Sequence, residues 1–148
     1  QKGNPKNVRA NLNELLRPDL VLILGNAQSG SVGQASKSLL DRFKLYPSAV
    51  SKAAFLLPDS RALTLSLKRG EADITLCWRA TAFFPDNSPH MDVVDLSPAI
   101  ASPQALLVNL LTFSNHTAAA SRFIDLMVSP QGQAVFRKHG FLDASLKS

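Results

Sequence analysis

One cysteine, one tryptophan, one tyrosine and two methionines stand in a chain of 148 residues. A single thiol closes no internal disulfide, and Cys77, set inside the apolar run Ile74–Trp78, reads as a small buried hydrophobe. No apolar run approaches the roughly 20 residues that a helix needs to cross a bilayer. Charge is also sparse, at 18% of residues against 45% hydrophobic, and it forms no run of one sign. That balance belongs to a globular chain, and the net charge of +5 favours an anionic partner. Nucleic acid is not that partner, because the basic residues are scattered singly and few rings are available for stacking.

Catalytic and metal-binding patterns are missing as well. His90, His116 and His139 stand apart, with no second histidine or cysteine at ligand spacing, and read as solvated loop or helix-end residues. No Gly-x-Ser-x-Gly nucleophile turn occurs. Gly25-x4-Gly30 has the outline of a phosphate-binding loop, but Ser31 and Val32 stand where a Lys and a Ser or Thr would meet the γ-phosphate and its magnesium. The glycine spacing also fails the dinucleotide pattern. These absences predict no enzyme, no metal and no cofactor.

What is present alternates between strand and helix. After a turn-rich entry, Asn11-Leu12-Asn13-Glu14 fits a capped helix start that buries Leu12, Leu15 and Leu16, and Arg17-Pro18-Asp19 stops it. Leu20–Leu24 is apolar on both faces, as a central parallel strand covered by helices must be. A glycine loop, 25–30, leads into a helix from Ser31 with Val32, Ala35, Leu39 and Phe43 inward. Ala53–Leu57 is the next strand. Asp59 or Ser60 caps a helix that turns Leu63 and Leu67 inward, carries Lys68 and Arg69 at its negative end and stops at Gly70. Ile74–Trp78 is a third strand. Met91–Leu96 reads as a short strand and Ala105–Phe113 as a longer apolar one. A helix begins near Asn115, and Ser129-Pro130 opens another, which Gly140 closes. The alternation predicts a three-layer α/β/α sandwich with a mostly parallel sheet, as one lobe over 1–148.

Two helix starts, Ser31-Val32 and Asp59-Ser60, follow the C-terminal ends of strands, where open α/β sheets bind ligands. Free N–H groups and the positive dipole end make each a potential oxyanion cradle.

Several stretches then fall in a recognisable order: Lys2-Gly3-Asn4-Pro5, Arg17-Pro18-Asp19-Leu20, Gly25-Asn26, Val32-Gly33, Arg69-Gly70-Glu71-Ala72-Asp73, and Ser129-Pro130-Gln131-Gly132-Gln133 through Gly140-Phe141. The chain resembles the second lobe of bacterial extracytoplasmic solute-binding proteins, the molybdate/tungstate-binding kind in particular. That resemblance implies a periplasmic-binding-protein-like lobe serving an ABC transporter, with a small oxyanion as ligand, a membrane permease as partner and a periplasmic or extracytoplasmic location, anchored or not in the parent protein. It also implies that Val32 and Ser60 offer backbone N–H groups, with Ser31 beside the first. Trp78 stands where the relatives carry a tyrosine hydroxyl, and its indole N–H can donate one bond. Arg79 adds charge-assisted donors. The family's first lobe has no counterpart, so the chain supplies half a site, and its start at Gln1 fits a processed or excised piece. With that lobe missing, Ala105–Phe113 is expected to pair with a second copy as a homodimer. Two alternatives share the fold: the effector-binding lobe of a transcription regulator, and a sensor or scaffold domain that has lost its ligand.

Overall fold

The computed structural model describes residues 1–141; residues 142–148, the end of the expected lobe, lie outside the described residues. The chain divides into two compact units, Gln1–Ala101 and Ser102–Ser148.

In the first unit, β1 (Leu22–Gly25) is central and fully buried, flanked in parallel by β2 (Phe55–Leu57) and β3 (Ile74–Thr75), so that the strand order is β2-β1-β3. Ile23 lies opposite Phe55 on one side and Thr75 on the other. Side chains alternate across a strand, which sends Leu22 and Leu24 into one core and Ile23 into another. The first core adds Leu12 and Leu15 from a 3₁₀ turn (Leu12–Leu16), Leu40 of α1 (Ser31–Arg42) and Ala49 of α2 (Tyr46–Lys52). The second adds Val32 of α1, Leu63 and Leu67 of α3 (Ser60–Lys68), Ala72 and Met91. Apolar cover on both faces of a parallel sheet is the α/β architecture that the strand pattern predicts.

Local chemistry sets the boundaries. The Asn11 carboxamide accepts from the Asn13 N–H at 2.9 Å, and the turn it opens is 3₁₀ rather than α. The Asp59 carboxylate accepts from the Ala62 N–H at 2.8 Å and opens α3, and Gly70 ends that helix at φ 71°. Before β1 the Val21 N–H donates to the Asp73 carboxylate at 2.8 Å, and the Asp73 N–H donates back to the Val21 carbonyl at 2.9 Å, which fixes the register of β1 on β3. The inner face of α1 is Val32, Gly33, Ser36 and Leu40. Phe43 lies past its last turn and is exposed, because Lys44 turns the chain at positive φ into α2, a helix that the sequence pattern does not announce.

The expected strands Leu20–Leu24 and Ala53–Leu57 are present with shifted ends, as Leu22–Gly25 and Phe55–Leu57, and three others differ further. Ile74–Trp78 is a strand over only Ile74–Thr75, and a 3₁₀ turn at Arg79–Phe83 takes over directly after Trp78. Met91–Leu96 has no regular structure, although Met91 is buried in the second core. Ala105–Phe113 is not a strand either, since an apolar run becomes one only when neighbouring chain satisfies its N–H and C=O groups. In the second unit α4 (Thr117–Val128) packs on α5 (Pro130–Lys138), with the Ser129 hydroxyl accepting from the Gly132 N–H at 3.1 Å and capping α5.

The two-sided core predicts a contrast within one helix. Leu63→Ala, at a site with no exposure, is expected to cost about 2–5 kcal/mol by cavity formation, whereas Leu65→Ala on the 40% exposed face costs less than about 1 kcal/mol. Urea unfolding of the two variants measures the difference.

Candidate functional site

The C-terminal ends of β1 and β2 release the chain into two neighbouring loops, and each loop becomes a helix. Gly25 is in register with Leu57, and the Asn26 N–H donates to the Leu57 carbonyl at 2.7 Å, so the sheet pairing continues one residue past β1. The Ser29 hydroxyl then reaches across to the Pro58 carbonyl at 3.1 Å. A Cβ built on Gly30 would lie 2.7 Å from the same carbonyl, so the loops approach as closely as they do only because Gly30 has no side chain. Gly33 is equally constrained, since its Cβ would meet the Asn26 carbonyl oxygen at 2.2 Å.

This contact brings the starts of α1 and α3 together at one sheet edge, so Ser31, Val32 and Ser60 share a face of the molecule. The N–H groups of a helix's first turn have no intrahelical acceptor. Gly30, the residue before α1, supplies no side-chain cap, and Ser31 is exposed. Val32 turns its side chain into the core at 3% exposure, so only its backbone is offered outward. The α3 start differs in charge, because the Asp59 carboxylate already sits on its positive end.

Around Ser60 the sequence-read residues separate. Cys77 is half-buried and packed against the second core, with the hydroxyls of Ser60 and Thr81 and the backbone of Trp78 near its sulfur. Burial pushes the thiol above its ordinary range, and the polar groups around it offset part of the rise. Trp78 follows at the same end of the sheet, 37% exposed, as the residue that precedes the 3₁₀ turn rather than as a strand end. Arg79 is engaged: its Nε donates to the Asp95 carboxylate at 2.8 Å, and its guanidinium lies 4.6 Å from the Phe83 ring centre.

Ser29, Thr81 and Asp95 are contributors that the sequence pattern does not single out. Each is a common polar residue, Ser29 and Asp95 in loops and Thr81 in the 3₁₀ turn, and its neighbours there come from the tertiary approach. Arg61 is an exposed cation in the first turn of α3, where the helix dipole disfavours positive charge. Among the described residues no group of three or more His, Cys, Asp or Glu could hold a metal ion. His116 and His139 flank α4 and α5 as their end residues.

A parallel sheet with two helix starts converging beyond its C-terminal edge is an α/β architecture that solved structures share. L-phospholactate-bound PEB3 superposes with a TM-score of 0.66 at 16% identity, over 97% of this chain and 62% of that one. Peb3 from Campylobacter jejuni does so with a TM-score of 0.64 at 17% identity, over the same shares. A family model described as bacterial extracellular solute-binding protein matches residues 1–142, and the chain belongs to that family. It spans about 62% of the length of these structural neighbours. A comparison with curated protein sequences finds no match.

The environment of Cys77 predicts slow alkylation. As the sole cysteine it reports on the folded site directly. Its reaction with iodoacetamide is expected to reach half its maximal rate above the pH of about 8.5 that marks a free thiol, and to return to that value in denaturant.

Proposed function

We propose that this chain is a non-enzymatic ligand-binding lobe of an extracytoplasmic receptor for a small oxyanion, held by the first-turn N–H groups of α1 and α3. The carrying observation is the approach of those two helix starts through the Ser29–Pro58 hydrogen bond and the bare Gly30. On this reading Ser31, Val32 and Ser60 contact the anion through backbone donors, and Trp78 closes one side. Arg79 contributes through its hold on Asp95 rather than by direct contact. The family match supports a receptor over a regulator's effector lobe, and supports a transporter permease as the partner.

The ligand in this reading is a tetrahedral group, either free, as molybdate, tungstate or sulfate, or as the terminal group of a phosphorylated acid. The L-phospholactate bound to one structural neighbour favours the second form. A receptor of this kind closes on its solute between two lobes, and this chain supplies one of them. Two or three charge-assisted bonds contribute roughly 1.5–3 kcal/mol each, against an association cost on the order of 4 kcal/mol or more. The lobe alone therefore holds an anion no tighter than about millimolar.

Titration with molybdate, sulfate, phosphate and phospholactate is expected to shift the backbone amides of Val32 and Ser60 and the emission of Trp78, with chloride as the control. Silence of all three probes well past millimolar, or an equal response to chloride, overturns the reading. Charge gives a second prediction. Asn caps a helix as well as Asp, so Asp59→Asn holds stability within about 0.5 kcal/mol. It also removes a negative charge next to the site and tightens oxyanion binding by about threefold, measured in the same titration.

A further inference from the structure

No further inference is drawn: the strongest candidate, the exposed apolar surface patch along segment 106–113 before α4, carries nothing because nothing in the structure shows what covers it.

Discussion

Burial of β1 on both faces and along both edges is the constraint on which the first unit depends. Leu22 and Leu24 require apolar cover on one side and Ile23 requires it on the other, so helices must lie in both outer layers. Parallel neighbours on both edges require crossovers, and the crossovers are α1 with α2 on one side and α3 on the other. Parallel strands all point the same way, so the loops that leave β1 and β2 emerge together. The convergence of two helix starts therefore follows from the packing of four residues. It would be present whether or not a ligand had ever occupied it.

Much of this organisation was legible in the sequence because it rests on local chemistry. The run Leu20–Leu24, the cap at Asp59, the Leu63/Leu67 face, the stop at Gly70 and the start at Ser129-Pro130 each follow from residue type and spacing within a few positions. What escaped depends on distant chain. Helix α2 is short, and its start carries no side-chain cap. Ile74–Trp78 contains the apolar run of a strand, but pairing with β1 uses only its first two residues, and beyond Thr75 the chain turns toward the packing of Ala80. Ala105–Phe113 is the sharper case. Its composition is that of a strand, but strand is a relation between segments and no described residue provides the other half.

The site divides in the same way. That Val32 and Ser60 stand in the first turns of their helices is legible from the sequence, because a helix start depends on local residue types. Side-chain roles are not. Arg79 looks like a ligand-facing cation in sequence, yet Asp95 and Phe83 hold it. Cys77 reads as a buried hydrophobe and is packed as one, but the hydroxyls gathered about it come from α3 and from the 3₁₀ turn after β3, a meeting that only the tertiary structure brings about.

The Ser29–Pro58 hydrogen bond bears on what kind of machine the lobe is. It ties two loops that leave separate strands, and bare Gly30 lets them rest against each other before any solute arrives. On the function proposed above, a surface tied in this way has little freedom left to lose, so the entropy surrendered on capture is mainly the solute's own.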